Sequence, residues 1–160
     1  MPKHDDYMTP KYAWESIAHL LPKDKILWEA FYGDGSSGKY LQELGFQVIH
    51  DREDFFQANK GDVIVSNPPF SKTREVLTRL KELGKPFVMI LPCLKLVTHY
   101  VGHLFKDTPD PLQIIIPKKR IHFKKFVDGK EVEGWKDATA FDCYYYCWKM
   151  NLPRDILWLI

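Results

Sequence analysis

The sequence has few cysteines, no long apolar run and almost no net charge. Its three cysteines, Cys93, Cys143 and Cys147, form no CxxC pair and lie in apolar or aromatic surroundings. This pattern excludes a disulfide framework, predicts no metal site and favours reduced thiols in an intracellular protein. No run approaches the roughly 20 apolar residues that cross a bilayer, and the polar opening MPKHDDYMTP has no signal-peptide core. Because the net charge is only +2, any surface for nucleic acid must be local.

The order of the predicted elements is typical of one α/β domain. The 160 residues are 45% hydrophobic, which suffices for a single core, so we expect one domain over 1–160. Apolar strands that alternate with amphipathic helices predict a mostly parallel sheet with helices on both faces. The predicted helices are a first one from the Thr9 cap and Pro10 to about Leu21, then Gly38–Leu44, Thr73–Leu83 and Leu94–Phe105. The predicted strands are Ile26–Phe31, Phe46–His50, Asp62–Ser66, Phe87–Leu91, Gln113–Ile116 and a possible antiparallel pair, Ile121–Val127 with Phe141–Met150.

A glycine-rich turn follows the first predicted strand, near Glu29. Glycines such as Gly33 and Gly35 let the backbone approach a ligand closely and adopt positive φ. The carboxylate beside them suits a cationic ligand. The same stretch, GDGSSGK, also matches the phosphate-loop pattern GxxxxGK, but Tyr40 stands where that loop has Ser or Thr, and Asp34 adds negative charge to the cradle. A structural turn without a ligand is the third interpretation.

An acidic segment, HDREDFF, follows the second predicted strand at residues 50–56. An acid at this place suits hydrogen bonds from two ribose hydroxyls, as in dinucleotide sites. Asp51 is the first candidate and Glu53 the alternative. Asp54 is suited to accept from an adenine amine, and Phe55 to pack on the adenine ring. A solvated acidic loop is the competing interpretation.

The most informative motif is Asn67-Pro68-Pro69-Phe70, directly after the apolar strand DVIVS. Two prolines fix the backbone and remove two donors. The Asn67 side-chain oxygen and the Pro68 carbonyl then remain as acceptors toward the cleft expected beyond the strand end. An aromatic amine, which has two N–H donors on a flat ring, fits such a pair, and Phe70 can stack on that ring.

A basic cluster stands out at residues 117–125. It includes Lys118, Lys119, Arg120 and Lys124. Close to the cleft, these side chains are suited to bind the phosphates of a nucleic acid. A solvated hairpin is the competing interpretation.

Taken in order, these motifs resemble those of N6-adenine DNA methyltransferases, in particular the small Dam-like enzymes of phages and viruses. The resemblance covers roughly residues 5–150, and the ordered set is more specific than any one member. It departs from the family at Ala30, where the first motif usually has proline, and we expect no separate target-recognition domain within the 160 residues. The stretches that carry it are Asn67–Phe70 for NPPF, Glu29–Gly35 for the glycine motif, Asp5–Pro10 for the EWYTP opening, Asp54–Phe56 for the third motif, and Lys119–Phe123 with Ala140–Asp142 for the GRIxF…PFxS tail.

The resemblance implies a Rossmann-like methyltransferase that takes S-adenosylmethionine as cofactor and has one antiparallel strand near its C-terminus, with 142–150 as the candidate. It implies methyl transfer to N6 of an adenine flipped out of DNA. An RNA adenine methyltransferase and a non-catalytic, methyltransferase-like partner subunit are the alternatives, and a homodimer is open. Cytosine N4 is the chemically similar target, but its enzymes typically carry Ser in place of Asn67. The implied catalytic residues are Asn67, Pro68, Pro69 and Phe70, and the implied cofactor-binding residues are Tyr7, Thr9, Pro10, Glu29, Phe31, Gly33, Gly35, Asp51, Asp54 and Phe55.

Overall fold

The structure is a computed structural model that describes residues 7–127, 130–131 and 142–160. Its described strands are β1 (Tyr7–Met8), β2 (Ile26–Trp28), β3 (Gln47–Ile49), β4 (Val63–Ser66), β5 (Phe87–Pro92), β6 (Leu112–Ile116), β7 (Lys124–Val127), β8 (Lys130–Glu131), β9 (Cys143–Trp148) and β10 (Ile156–Trp158). Seven strands form one sheet in the order β10-β6-β9-β5-β4-β2-β3, and three form a small sheet in the order β1-β7-β8. The large sheet is parallel except for β9, which runs antiparallel to both neighbours. The expected α/β class with one antiparallel C-terminal strand is confirmed.

The middle of the large sheet is apolar because both of its faces are covered. Every residue of β4 and β5 is buried, as the unbroken runs VIVS and FVMILP predict. The run CYYYCW of β9 pairs along the whole length of β5. The buried hydroxyls of Tyr145 and Tyr146 donate to the carbonyls of Ala13 and Pro92, which satisfies the polar ends of these large side chains.

Four α-helices cover this sheet: α1 (Lys11–Glu15), α2 (Ser36–Glu43), α3 (Thr73–Leu83) and α4 (His99–Phe105). The predicted bounds of α3 are confirmed. It buries Val76, Leu77 and Leu80, each of which contributes about 1.5–3 kcal/mol by leaving water, and it ends at Gly84 with φ +69°. Within the described ranges, no helix combines the length and apolarity that crossing a bilayer requires.

The first helix is shorter than its sequence predicts. Pro10, rather than Thr9, is the capping residue, and α1 gives way to a 3₁₀ turn at 18–20. The Ser16 hydroxyl donates to the Tyr12 carbonyl (2.6 Å), and the Ile17 amide bonds three residues back to Trp14 instead of four. Such local bonds compete with the α-helical ladder and tighten its last turn.

Two other helices also depart from their predicted bounds. The predicted helix 94–105 divides into a 3₁₀ turn at 93–97 and α4, because Thr98 is extended (ψ 149°) and its hydroxyl donates to the Lys95 carbonyl (2.6 Å). Helix α2 begins two residues earlier than predicted. Gly35 is its capping residue, and the Asp34 carboxylate accepts from the Ser36 amide (2.9 Å), which closes a local turn directly before the helix.

The predicted pairing of Ile121–Val127 with Phe141–Met150 is wrong. β7 pairs with β1 and β8, whereas β9 is inserted between β5 and β6 in the large sheet. The reason is composition: the aromatic run of β9 fits a slot that is covered on both faces, and the KKFV of β7 does not. The sequence analysis also missed β1 and the short edge strand β10, which extends the sheet beside β6.

Candidate active site

A cavity of about 270 Å³ lies at the carboxyl ends of β2 and β4, which is the edge where open α/β sheets bind their ligands. We call it the main cavity. Strand β1 and the residue after it close it from a third side. Its lining consists of Tyr7, Met8, Thr9, Glu29, Ala30, Phe31, Tyr32, Gly33, Asp34, Ser37, Glu53, Asn67, Pro68, Pro69 and Phe70.

The glycine turn after β2 forms one wall of the main cavity. Gly33 and Gly35 have φ of +59° and +85°, the left-handed region that other residues avoid. A Cβ on Gly33 would lie 3.1 Å from the Met8 sulfur, and one on Gly35 would lie 2.7 Å from the Tyr32 hydroxyl. Both positions therefore require glycine for backbone conformation and for close packing. Gly35 shapes the turn but does not line the cavity.

Glu29 is a buried carboxyl group at the bottom of this wall, with 2% of its surface exposed. Its Oε1 accepts hydrogen bonds from the Phe31 amide (2.9 Å) and from the Ser66 hydroxyl. Burial raises the pKa of Glu29 to about 8, and the nearby Asp34 adds to the rise, while the two hydrogen bonds oppose it. A cation brought into the main cavity would stabilise the ionised carboxylate.

Asn67 lines the main cavity, and its side-chain oxygen has no hydrogen-bond partner among the described residues. Its side-chain amide nitrogen donates to the Tyr7 carbonyl (3.4 Å), whereas its Oδ1 is buried and has no hydrogen-bond partner among the described residues. The buried Thr9 hydroxyl is likewise without a described partner. A buried polar atom left unpaired costs about 1–3 kcal/mol, so both atoms point to a ligand that would satisfy them.

Phe70 is more deeply buried than a free stacking platform would be, with 6% of its surface exposed. Its ring packs against Tyr7 at 6.4 Å between centroids, with the planes 25° apart, and edge-on against Phe123 at 5.9 Å. The Thr73 hydroxyl donates to the Phe70 carbonyl (2.9 Å) and fixes the turn after the prolines. Phe70 thus forms a rigid aromatic wall beside Asn67.

The acidic loop after β3 contributes Glu53 to the main cavity rather than Asp51. The Glu53 amide donates to the Asp51 carbonyl (2.9 Å) in a tight turn, and Glu53 belongs to the cavity lining. The Asp51 side chain is 63% exposed and lies 3.7 Å from Lys60, which also pairs with Glu53. Of the two ribose-binding candidates, only Glu53 lines the cavity.

Three other predicted cofactor residues, Asp54, Phe55 and Pro10, are not part of the cavity lining. The Asp54 carboxylate accepts from the Phe56 amide (2.9 Å) and so closes a loop turn. Phe55 is buried and packs 4.9 Å from Phe31, a residue of the wall, which it supports from behind. Pro10 caps α1 next to Thr9 and is also outside the lining.

The lining includes residues that the sequence analysis did not single out, such as Ser37, Met8 and Tyr32. Ser37 accepts a hydrogen bond from the Trp14 indole (3.0 Å), which ties α1 to α2 behind the cavity. Ser66 touches the site without lining it, through its bond to Glu29. A polar residue at the end of the apolar run DVIVS was the available signal for Ser66.

The charges of the main cavity favour a cationic ligand. Three carboxyl groups line it, those of Glu29, Asp34 and Glu53, and among the described lining residues there is no Lys, Arg or His. Lys39, which the phosphate-loop interpretation needs at the ligand, is exposed on α2 and outside the lining. A nucleoside triphosphate would meet repulsion here. Nowhere in the described ranges, the main cavity included, is a group of three or more His, Cys, Asp or Glu placed to hold a metal ion.

No family model matches the chain, and no curated protein matches it in sequence. Solved structures do share its architecture. An RNA methyltransferase candidate from Pyrococcus horikoshii superposes with a TM-score of 0.56 at 14% identity, over 92% of this chain and 89% of that one. A candidate class I S-adenosylmethionine-dependent methyltransferase from Listeria monocytogenes gives 0.54 at 12% identity, over 99% and 67%. An S-adenosylmethionine-dependent O-methyltransferase from Thermotoga maritima gives 0.53 at 12% identity, over 89% and 66%.

The fold is that of the class I methyltransferases. The TM-scores of 0.53–0.56 establish this shared architecture. Because the identities are only 12–14%, the chemistry has to be argued from the residues of the main cavity.

The basic cluster lies at the same sheet edge of the methyltransferase fold, after the carboxyl end of β6. It lines a second cavity of about 470 Å³ between Tyr12 of α1 and the segment 117–122. Lys118 and Lys119 are exposed, while Arg120 lies 3.2 Å from the Asp142 carboxylate. The structure describes Lys124 only as part of β7.

The segment that carries the basic cluster leads to the main cavity. The Tyr12 hydroxyl accepts from the His122 amide (2.6 Å) and fixes the segment to α1. One residue further, the Phe123 ring packs against Tyr7 and Phe70, both of which line the main cavity. The two lysines therefore lie on the same side of the molecule as the main cavity.

Proposed function

We propose that this chain is an S-adenosylmethionine-dependent methyltransferase that modifies the N6 amine of adenine in DNA. The observation that carries the proposal is the buried Oδ1 of Asn67, which has no hydrogen-bond partner among the described residues and belongs to an acid-lined cavity that Pro68 also lines. The structurally similar proteins, a candidate and an assigned S-adenosylmethionine-dependent methyltransferase and an RNA methyltransferase candidate, support the methyl donor. The ordered NPPF motif set supports adenine.

The residues of the main cavity fit the methyl donor. S-adenosylmethionine supplies an electrophilic methyl group on a sulfonium and also carries an ammonium group. We assign the ammonium to Glu29, the close backbone approach to Gly33, and the ribose hydroxyls to Glu53. The unpaired Thr9 hydroxyl offers a further hydrogen bond. Without phosphates, the donor avoids the repulsion that the acidic lining would impose on a nucleotide.

The other side of the main cavity is suited to the amine of the target base. Asn67 Oδ1 and the Pro68 carbonyl accept hydrogen bonds from its two N–H groups. Pro69 has no backbone N–H that could compete as a donor. These acceptors bind more strongly as positive charge builds on the nitrogen in the transition state, so they stabilise that state more than the ground state. Phe70 restricts the plane of the base. The target has to leave its stack to reach this depth.

The polymer is tested by methyl transfer from labelled donor to single- and double-stranded DNA and RNA oligonucleotides of matched sequence. We expect the labelled methyl group to appear in DNA. Label confined to RNA would support the RNA alternative. Donor binding without transfer to any of the four substrates would support a non-catalytic partner subunit instead. A protein that does not bind the donor at all would support the same alternative.

Replacing both exposed lysines, Lys118→Ala with Lys119→Ala, should weaken binding of all DNA sequences alike. For each phosphate contact that the variant loses, its binding to DNA releases about one counterion fewer. The slope of log affinity against log salt should therefore become shallower by about 1.5–2. Fluorescence anisotropy at several salt concentrations measures both effects. The control is Lys25→Ala with Lys106→Ala, the same charge change at the opposite edge of the sheet, which should leave the slope unaltered. Equal slopes for the two variants would mean that the basic cluster is a solvated surface that does not contact phosphates.

The ribose assignment is tested by comparing Glu53→Gln with Asp51→Asn. Both variants remove one negative charge and one partner of Lys60. Loss of hydrogen bonds to a charged group typically costs about 1.5–3 kcal/mol, so Glu53→Gln should weaken donor binding by roughly tenfold or more. Asp51→Asn should leave it within about twofold. Calorimetric titration distinguishes the two, and the reverse order would place the ribose at Asp51.

A further inference from the structure

Ser66 joins the two halves of the proposed site. It is the last residue of β4, has no exposed surface and directly precedes Asn67. Its hydroxyl donates to Glu29 Oε1 at the end of β2 and accepts from the Phe31 amide (3.2 Å). The Phe31 amide is therefore shared between Ser66 and Glu29 (2.9 Å), and the three groups form a closed hydrogen-bonded set.

We propose that Ser66 is the positioning residue of the cofactor half of the site: its hydroxyl holds the Glu29 carboxyl group and the turn after β2 in the arrangement that receives the donor's ammonium. Both described bonds to Glu29 end on Oε1, so Oε2 is the oxygen left for a ligand. Asn67 directly follows Ser66 at the same strand end. Ser66 therefore also fixes the position of the Glu29 carboxyl group relative to Asn67. This inference rests on the proposed function.

The electrostatics of Glu29 give Ser66 a measurable signature. Burial raises the pKa of this carboxyl group, Asp34 of the glycine turn raises it further, and the bonds from Ser66 and the Phe31 amide lower it. Glu53 is the other carboxyl group on the cavity wall, and no described lining residue is cationic. An ammonium ligand binds the ionised form, so binding near neutral pH must release a proton from Glu29. Removing the Ser66 hydroxyl should raise that pKa and make the release more complete at alkaline pH.

The test titrates S-adenosylhomocysteine, which keeps the ammonium and lacks the methyl group, into Ser66→Ala, Ser66→Thr and the wild-type protein. At pH 7, Ser66→Ala should bind about 10–100-fold more weakly, as expected for loss of a hydrogen bond to a charged group. Calorimetry at pH 8.5 in buffers of different ionisation enthalpy counts released protons. With a Glu29 pKa of about 8, roughly a quarter of a proton comes from wild-type Glu29 at this pH, and Ser66→Ala should release more. Ser66→Thr should restore the wild-type values, and the ligand's own amine is common to all variants.

The matched control is Thr73→Val, which removes another buried hydroxyl near the NPPF motif without touching Glu29. It should leave the proton count at the wild-type value even if it lowers thermal stability. If Ser66→Ala does not fold, Ser66→Cys, a weaker donor at the same place, should show the same direction of change. A wild-type proton count in a folded Ser66→Ala protein, or an equal shift in Thr73→Val, would overturn the role of Ser66. Absence of binding to the wild-type protein would instead overturn the proposed cofactor, and this inference with it.

Discussion

Asn67→Ala should lower kcat by about 10²–10³-fold while the dissociation constant of the methyl donor changes by less than about twofold. The reason is that the proposed function assigns the buried Asn67 Oδ1 to the target amine, and removing one preorganised group that binds developing charge typically costs about 2.7–4 kcal/mol. The donor half of the main cavity, around Glu29 and Gly33, stays in place. Single-turnover methyl transfer measures the first quantity, and calorimetric titration measures the second.

Asn59→Ala is the control for this experiment, because Asn59 is an exposed loop residue of the same type. It should leave both quantities at their wild-type values. An Asn67→Ala enzyme with wild-type turnover would contradict the assignment of the amine site. A large loss of donor binding in that variant would move Asn67 to the cofactor half of the main cavity.

Glu29→Gln should weaken donor binding by roughly 30-fold or more and at the same time stabilise the free protein at alkaline pH. Truncating one partner of a buried charge pair typically costs about 2–5 kcal/mol, and the substituted amide would keep the size of the side chain but not its charge. Proton release on binding, which we attribute to Glu29, should disappear in this variant. Titration of S-adenosylhomocysteine at pH 7 and pH 8.5 measures both effects.

The stability effect follows from the raised pKa of Glu29. Its carboxyl group has a pKa of about 8 in the folded protein against 4.5 in the reference state, so the unfolded chain ionises first. The protonated carboxyl therefore supports the fold fully below about pH 4.5, and this support is lost as pH rises through about 8. At full ionisation the loss is roughly 3–5 kcal/mol, since one pKa unit corresponds to about 1.4 kcal/mol. Urea unfolding of wild type and Glu29→Gln between pH 6 and pH 9.5 should show a widening gap. Parallel stability curves would contradict this environment for Glu29.

The middle of the central sheet could be predicted from the sequence because its strands β4 and β5 are fully buried. The runs VIVS and FVMILP fit no other place in a domain of this size, and the turn residues that follow them mark the edge where ligands bind. The NPPF residues and Glu29 then came together as expected, because parallel strands bring their carboxyl ends to one edge.

What the sequence did not reveal depended on contacts between distant segments. The order of acids in the loop after β3 favoured Asp51, but the folded loop makes a tight turn there, in which Glu53 lines the main cavity and the Asp51 side chain is exposed. The role of Ser66 needs two strand ends to meet, 37 residues apart in sequence. The edge strand β10 has only three residues, and its apolar alternation is too short to distinguish from an irregular tail.

The identity of the modified nucleoside tests the central claim most directly. DNA that has been treated with the protein and S-adenosylmethionine is digested to nucleosides, which are separated and weighed by mass spectrometry. We expect N6-methyladenine as the product of the wild-type reaction and its loss with Asn67→Ala. N4-methylcytosine or C5-methylcytosine as the product would contradict it.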